Sequence, residues 1–240
     1  TANLSCGVAS ILLASQGQLT AACGLVFIGA LFDVLDGLAA RALGGGSELG
    51  KQLDSLADMV TFGVAPAFIS AIVPWKALQF AIDAHRDFGP PTVRPGDLFA
   101  EPIWATALCA MMIAIASMWR LAKFNSDTRQ TTGFLGLATP ANALLWASFG
   151  IASWGIGVRY GPGANELQSH VGAFMADPIQ KLILATALAA LMLSSIPLPS
   201  LKFKHMRWKG NEVIYLLIGL GAVLIALYGV LAVPLILVVY

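Results

Sequence analysis

The sequence predicts an all-α polytopic membrane protein, and three observations support this. Of its 240 residues, 58% are hydrophobic and only 11% are charged, whereas an ordinary soluble domain is about one quarter charged. The mean hydropathy is +0.77. The apolar residues occur in stretches close to the roughly 17–25 residues that a helix needs to cross a bilayer. The net charge of +1, without a long basic run, gives no reason to expect a nucleic-acid partner.

Seven apolar stretches are predicted to be membrane-spanning helices. Their bounds are 3–16, 20–41, 52–75, 102–122, 135–158, 178–198 and 211–228. The first stretch is short, and because the chain begins with Thr1 rather than Met we expect further residues before it. Two longer connections, at about 76–101 and 159–177, are predicted to be irregular, since they contain Pro90-Pro91, Pro95 and Gly161-Pro162-Gly163.

The last stretch, 229–240, contains Pro234 and is too short to cross a membrane alone. It is either a half-helix that returns into the membrane or the end of one long tilted helix, because Gly219, Gly221 and Gly229 permit both. The sequence therefore predicts a transmembrane core over 1–198. A basic cytoplasmic loop and a C-terminal membrane helix or helical hairpin are predicted over 199–240.

The distribution of basic residues predicts the orientation in the membrane. Nine of the fourteen lysines and arginines fall in loops on one side, namely Arg41, Lys51, Arg120, Lys123, Arg129, Lys202, Lys204, Arg207 and Lys209. The other five are Lys76, Arg86, Arg94, Arg159 and Lys181. Since cytoplasmic loops carry the excess of basic residues, the first side is predicted to face the cytoplasm.

Four acidic residues lie where the second and third spans meet, in the stretch DVLDGLAARALGGGSELGKQLDSLAD. Asp33 and Asp36 are three residues apart, and Asp54 and Asp58 are four apart, so that on helices each pair shares one face. Charged groups at membrane depth are costly and usually mark a functional site. Two such pairs facing each other would form an oxygen-rich cage for a hard divalent cation such as Mg²⁺.

Small and basic residues accompany these acids. Gly37, Ala40 and Gly50 leave room for a ligand or a backbone to approach closely, and Arg41 offers a planar donor fork suited to carboxylate or phosphate. A purely structural interpretation, in which acids pair with arginine and small residues serve helix packing, explains only part of the pattern. Four acids beside Arg41 and Lys51 leave excess negative charge, which a divalent metal would compensate.

The complete pattern, D-x2-D-G-x2-A-R-x8-G-x3-D-x3-D, resembles the signature of the CDP-alcohol phosphotransferases, with every fixed position present. The resemblance covers roughly residues 1–198. It implies six core membrane helices, plus one or two C-terminal helices here, and pairing as a homodimer. It also implies transfer of a phosphatidyl group from a CDP-linked lipid to an alcohol, with release of CMP.

A second, narrower resemblance is to the phosphatidylserine synthase branch of that family. It is carried by RLAKFNSDTRQTTGFLGLATPANAL at 120–144 and by LPSLKFK at 198–204. Where the branch reads Gly-Leu-Pro, this chain has Ala138 in place of the first proline and keeps the second as Pro140. The replacement removes no polar group. The resemblance implies CDP-diacylglycerol as donor and L-serine as acceptor, at a cytoplasmic membrane with the active site facing the cytoplasm.

By carry-over from the family, each candidate residue receives a role. The predicted ligands of one or two Mg²⁺ or Mn²⁺ ions are Asp33, Asp36, Asp54 and Asp58, and Asp58 is also the predicted general base. The predicted CDP-lipid contacts are Asn3, Asp33, Gly37, Ala40, Arg41, Gly50 and Asp54. The predicted acceptor contacts are Arg120, Lys123, Asn125 and Arg129. Among these, the Arg120 fork suits the serine carboxylate, and the Asn125 amide can donate and accept.

Alternatives remain open within and outside this class. The acceptor could be glycerol 3-phosphate, inositol or inositol phosphate, and the donor could carry ether-linked chains as in archaetidylserine synthesis. From another class, a divalent-cation transporter would also hold acids in the membrane. It would place them near the midplane between two matching halves, whereas here they cluster at one face and no inverted repeat is apparent.

Overall fold

The computed structural model of the chain describes residues 2–42, 47–73, 103–126, 134–154, 164–198 and 212–239, and these are almost entirely helical. The helices are α1 (Ala2–Ser15), α2 (Leu19–Ala42), α3 (Glu48–Val73), α4 (Ile103–Ser126), α5 (Thr139–Trp154), α6 (Ala164–Ala176), α7 (Pro178–Leu193), α8 (Glu212–Tyr228) and α9 (Ala232–Val239). Two short strands, β1 (Phe134–Leu135) and β2 (Pro197–Leu198), pair antiparallel.

The prediction of an all-α polytopic membrane protein is confirmed. By length and composition, four helical segments among the described residues could cross a bilayer, at Leu19–Ala39, Glu48–Val73, Trp104–Ser126 and Gly219–Leu237. The last of these is interrupted by the turn at Gly229. A fifth is possible if α6 and α7 count as one broken span. Each of the seven predicted stretches contains a helix, namely α1 to α5, α7 and α8. The buried core between them includes Trp146, Phe62 and Ile69, which are fully enclosed.

Helix α3 contains a segment that the sequence did not predict. Directly after Asp58 the backbone widens into a π-helix at Met59–Val64, and Thr61, Phe62 and Gly63 of this segment are buried. Such wide turns are rare and frequently occur at functional sites. The segment brings the Thr61 hydroxyl to the backbone oxygen of Asn3 on α1, to which it donates at 2.9 Å.

The connection at 159–177 was predicted to be irregular, and this was wrong for its second half. Helix α6 occupies Ala164–Ala176 and buries Val171 and Met175, which are four residues apart on one face. The centre of the Phe174 ring lies 5.8 Å from the centre of the Phe149 ring on α5. The Gly-Pro-Gly sequence ahead of α6 predicted an irregular connection, and the apolar face of α6 is too short to indicate a helix against that prediction. The other connection, 76–101, lies outside the described residues.

Helices α6 and α7 meet at a bend of 93°. Asp177 begins α7, and its Oδ1 accepts hydrogen bonds from the backbone nitrogens of Ile179 at 2.9 Å and Gln180 at 3.1 Å. Pro178 takes the first helical position, where the lack of a backbone N–H has no consequence. This strong start signal explains why α7 begins at the predicted residue.

Lys181 was counted among the outward loop cations, and this was also wrong. The residue is 0% exposed in the first turn of α7, where its Nζ donates to the Ser70 backbone oxygen at 3.2 Å. A long side chain near a helix end can reach a partner on a neighbouring helix, and the sequence could not show that this one does. The predicted excess of basic residues on the other side does not depend on Lys181, so the predicted orientation is unchanged.

At the C-terminus the chain folds back on itself. Gly229 adopts a φ of +58°, and a 3₁₀ turn at Gly229–Leu231 leads into α9. A side chain at Gly221 on α8 would lie 3.5 Å from Ile236 Cδ1 on α9, whereas these positions would be about 22 Å apart along one straight helix. Of the two predicted alternatives, the structure therefore has the returning half-helix, which also contacts α5.

Candidate active site

Helices α2, α3 and α4 and the start of α5 enclose a cavity of about 460 Å³. The residues that line it are Asp33, Val34, Gly37, Leu38, Asp54, Asp58, Arg120, Leu121, Phe124, Ala138, Thr139 and Pro140. Its polar residues have opposite charges, with carboxylates on α2 and α3 and a guanidinium on α4. The cavity can therefore accommodate a ligand that carries both a cation-binding group and an anionic group.

Three of the four predicted metal-binding acids come together. Carboxylate oxygens of Asp33, Asp54 and Asp58 all lie within 4.8 Å of one another. Among the described residues no basic side chain forms an ion pair with any of these three acids. Three hard oxygen donors without a neutralising partner fit a divalent cation such as Mg²⁺. Asp36, one turn along α2, is exposed and outside this group, so that its role as a ligand stays a prediction.

Asn3 binds one of the acids directly. It is 2% exposed on α1, and its Nδ2 donates to Asp58 Oδ1 at 2.7 Å. Its own Oδ1 is buried without a hydrogen-bond partner among the described residues. Asn3 was predicted to contact the donor diphosphate, but it is not among the residues that line the cavity. Its observed partner is a carboxylate.

The small residues of the motif take different places. Gly37 lines the cavity, and a side chain there would meet no atom within 4 Å, so the position leaves open space beside the acids. Gly50 lies in the first turn of α3, where its backbone nitrogen donates to Ser47 Oγ at 3.0 Å and caps the helix. Ala40 and Arg41 lie on α2, and their side chains are outside the described part of the chain.

Arg120 forms the basic side of the cavity. It is only 4% exposed, its Nε donates to the Leu137 backbone oxygen at 3.2 Å, and its guanidinium lies 5.7 Å from the centre of the Phe124 ring. Neither terminal nitrogen forms a hydrogen bond with a described residue. A buried guanidinium that faces a cavity with its terminal donors unpaired is suited to bind a carboxylate or phosphate in two-point fashion.

The other predicted acceptor contacts lie away from the cavity. Lys123 Nζ donates to the Leu193 backbone oxygen at 3.0 Å, and Asn125 Nδ2 donates to Ser55 Oγ at 2.7 Å. Neither side chain lines the cavity. Arg129 lies outside the described residues. Of the predicted acceptor contacts that the structure describes, Arg120 alone lines the cavity with the acids.

Several lining residues were missed by the sequence interpretation. Thr139 and Pro140 entered the sequence interpretation only as part of the stretch 120–144, yet they begin α5 and line the cavity together with Arg120. Val34 and Leu38 are four residues apart on the α2 face that carries the acids, and they are 58% and 54% exposed. Helical spacing from Asp33 and Gly37 could have indicated them, but apolar residues in a membrane span carry no distinguishing signal.

Comparison with known proteins gives one family model and several relatives. A model of the CDP-alcohol phosphatidyltransferase family matches residues 1–193. The CDP-diacylglycerol–serine O-phosphatidyltransferase of Helicobacter pylori is 30% identical over 223 residues, which cover 91% of this chain and 76% of that protein. The enzyme of the same name from Bacillus subtilis is 32% identical over 138 residues, or 58% of this chain and 64% of the relative.

An archaeal relative has a different name. The archaetidylserine synthase of Methanothermobacter thermautotrophicus is 34% identical over 151 residues, which cover 61% of this chain and 53% of that protein. The matched region thus spans just over half of the archaeal relative and somewhat less than two thirds of the Bacillus subtilis relative.

Proposed function

The chain belongs to the CDP-alcohol phosphatidyltransferase family, and from this premise we propose that it transfers the phosphatidyl group of CDP-diacylglycerol to the hydroxyl of L-serine, releasing CMP. The observation that carries the proposal is the cavity with three clustered carboxylates on one side and the buried Arg120 guanidinium on the other. A phosphoryl donor with its counter-ion suits the first side, and the carboxylate of an amino acid suits the second.

The acidic side fits a divalent cation. Asp33, Asp54 and Asp58 would hold it, and Asp36 is proposed to join them if two ions bind. A bound Mg²⁺ or Mn²⁺ would polarise phosphoryl oxygens and neutralise charge that develops during transfer. The proposed metal requirement rests on the oxygen donor set and on the lack of any neutralising basic side chain among the described neighbours.

The donor lies along α2 and α3 in this proposal. The open space at Gly37 admits the diphosphate close to the helix backbone. Val34 and Leu38, apolar and more than half exposed at the cavity edge, would contact the start of the acyl chains, which extend into the lipid. Ala40, Arg41 and Gly50 remain proposed contacts of the nucleotide side.

The basic side of the cavity binds the acceptor in this proposal, and the acidic side supplies the general base. Arg120 binds the serine carboxylate through its terminal nitrogens, which directs the serine hydroxyl towards the acids. Asp58 takes the hydroxyl proton as the oxygen attacks the phosphorus that bears the diacylglycerol. The new P–O bond forms as the P–O bond to CMP breaks, and CMP leaves. Asn3 donates to Asp58 Oδ1 and thereby holds the orientation of the carboxylate that takes the proton.

A second candidate donor is the ether-linked lipid of archaea, because one relative is named archaetidylserine synthase. Phosphorylated acceptors are disfavoured, since Arg120 is the one basic side chain among the described residues that line the cavity.

We further propose that the acidic side faces the cytoplasm in the cell membrane, in accord with the excess of basic residues on that side. We also propose that the enzyme acts as a homodimer.

Purified protein tests the proposal directly. The assay combines CDP-diacylglycerol, Mn²⁺ or Mg²⁺, and isotope-labelled serine, and measures CMP together with labelled lipid. We expect CMP release that depends on serine and is abolished by EDTA. CMP release with another alcohol but not with serine would overturn the assignment of serine as the acceptor. A properly folded protein that releases no CMP with any alcohol would overturn the enzyme assignment.

A further inference from the structure

The connection between α4 and α5 is fastened to the C-terminal end of α7. Strands β1 and β2 pair side by side, and two further backbone bonds follow at once. Gly136 N donates to the Ile196 oxygen at 2.9 Å, and Leu137 N donates to the Leu191 oxygen at 3.3 Å. The Leu191 oxygen at the end of α7 also accepts from the backbone nitrogen of Ser194 at 3.3 Å and from its hydroxyl at 2.8 Å. The Leu137 nitrogen thus joins a helix end that is already capped.

The backbone hydrogen bonds between 134–137 and the end of α7 require a glycine at position 136. Its φ of +70° is a conformation that residues with a side chain rarely adopt. A Cβ at this position would also lie 2.8 Å from three backbone oxygens, those of Leu191, Met192 and Ser194. These oxygens are backbone atoms and cannot move aside independently. Any substitution must therefore displace the turn from the end of α7.

Lys123 fastens α4 to the same helix end. Its Nζ donates to the Leu193 oxygen at 3.0 Å, and a cation is favoured near a helix C-terminus because the carbonyl dipoles point there. Lys123 lies three residues beyond Arg120 on α4. The helix that carries the guanidinium and the turn that follows it are thus both held by the end of α7.

The same turn holds the guanidinium itself. The Leu137 peptide donates through its nitrogen to α7, and the oxygen of this residue accepts from Arg120 Nε at 3.2 Å. A shift of Gly136 would move the Leu137 oxygen, and with it the direction in which the terminal nitrogens of Arg120 enter the cavity. The guanidinium has no other hydrogen-bond partner among the described residues.

We propose that the C-terminal end of α7 is the anchor that positions Arg120 for the acceptor, and that Lys123 and Gly136 are positioning residues that act through Arg120. This inference rests on the proposed function, in which Arg120 binds the acceptor carboxylate. It gives Lys123 a role other than direct contact with the acceptor. It also gives a physical reason for the glycine in the F-x-G-L sequence at 134–137.

Kinetics of Lys123 variants test the proposal. Lys123→Met keeps the apolar stem and removes the ammonium. We expect the KM for serine to rise roughly ten-fold, the size of a lost hydrogen bond to a charged group. The kcat and the affinity for CDP-diacylglycerol should stay within about two-fold, since only acceptor binding is affected. Lys123→Arg should restore the KM. Lys209→Met, which removes one of the other basic residues on the same predicted side, should have no effect.

A double-mutant cycle separates positioning from direct contact. In an Arg120→Lys background, where the fork is already lost, Lys123→Met should raise the KM for serine no further. An equal rise in both backgrounds would show that Lys123 contacts serine itself and would overturn the proposal. An unchanged KM in well-folded Lys123→Met protein would overturn it as well. Gly136→Ala, if it folds, should reproduce the selective rise in KM although it cannot touch the acceptor.

The experiments distinguish a failure of the proposed function from a failure of the anchoring proposal. Wild-type protein is assayed first with serine, glycerol 3-phosphate and inositol, and the KM that is compared is that of the acceptor it uses. Use of an acceptor other than serine overturns the serine assignment alone. An acceptor KM that does not respond to Lys123→Met overturns the anchoring proposal alone.

Discussion

The acidic and the basic sides of the cavity are assembled in different ways. The acids come from two consecutive helices, α2 and α3, within one short stretch of sequence. The basic side needs α4, the start of α5 and the end of α7, joined by backbone hydrogen bonds between segments far apart in the sequence. Under the proposed function, a local motif specifies the chemistry of transfer, whereas the choice of alcohol depends on long-range contacts.

The largest expected effect comes from the acidic side. Asp58→Asn keeps the size of the side chain and an oxygen that can accept from Asn3, but it removes the proposed base. A positioned base contributes roughly 10²–10⁴-fold, and we expect kcat to fall by that amount. The thermal unfolding midpoint in detergent serves as the control for folding. Near-normal turnover of the folded variant would contradict the assignment of Asp58.

A change on the basic side should alter a different kinetic constant. Arg120→Lys keeps the positive charge but loses the planar fork. We expect the KM for serine to rise roughly ten- to one-hundred-fold, as for a lost charge-assisted hydrogen bond, with a smaller effect on kcat. Binding of CDP-diacylglycerol, measured separately, should be unchanged. If kcat falls as far as in Asp58→Asn while KM is unaffected, the division between the two sides is wrong.

Asn3 tests how far the acidic side extends onto α1. Asn3→Ala removes the hydrogen bond to Asp58 Oδ1. We expect kcat to fall roughly ten-fold, the size of a hydrogen bond to a charged group, with no change in the KM for serine. Ser10→Ala is the matched control, because Ser10 is buried on the same helix and bonds the Ala22 oxygen instead. Equal kinetic losses in both variants would indicate a packing effect of α1.

The smallest effect is expected at a buried charge that belongs to neither side. Lys181 lies on α7 and bonds the Ser70 oxygen in the part of α3 beyond the π-helix. Lys181→Met has a similar volume, removes a desolvated charge and gives up the hydrogen bond to the Ser70 oxygen. These changes act on stability, since Lys181 does not line the cavity. We expect activity to stay within about two-fold of the wild type. A ten-fold loss of activity in folded protein would show that this lysine is coupled to the cavity.

The same contrast explains what the sequence could and could not predict of the fold. Hydropathy located each long helix, because a membrane-spanning helix needs a continuous apolar stretch. It missed α6, whose apolar face is short and follows the sequence Gly-Pro-Gly. It also left 229–240 open, because the glycines permit a straight or a returning chain, and only the contact of Ile236 with Gly221 decides between them.

Some residues of the site could be predicted from the sequence, and others could not. Asp33, Asp54 and Asp58 could be predicted, because helical spacing places them on facing sides of adjacent helices. The hydrogen bond of Lys123 to the Leu193 oxygen could not be predicted, since it joins residues 70 positions apart in the sequence. The same holds for the pairing of β1 with β2, which precedes Thr139. Nor could the sequence show that Asn125 would bond Ser55 rather than face the cavity.

A competition assay tests the central claim most directly, which is that the two sides together select serine for phosphatidyl transfer. Purified protein receives CDP-diacylglycerol, a divalent cation, and equal concentrations of L-serine, glycerol 3-phosphate and inositol, and the lipid products are identified by mass spectrometry. We predict phosphatidylserine as the main product, and a smaller share of it from Arg120→Lys protein. A product formed mainly from glycerol 3-phosphate or inositol would contradict this account.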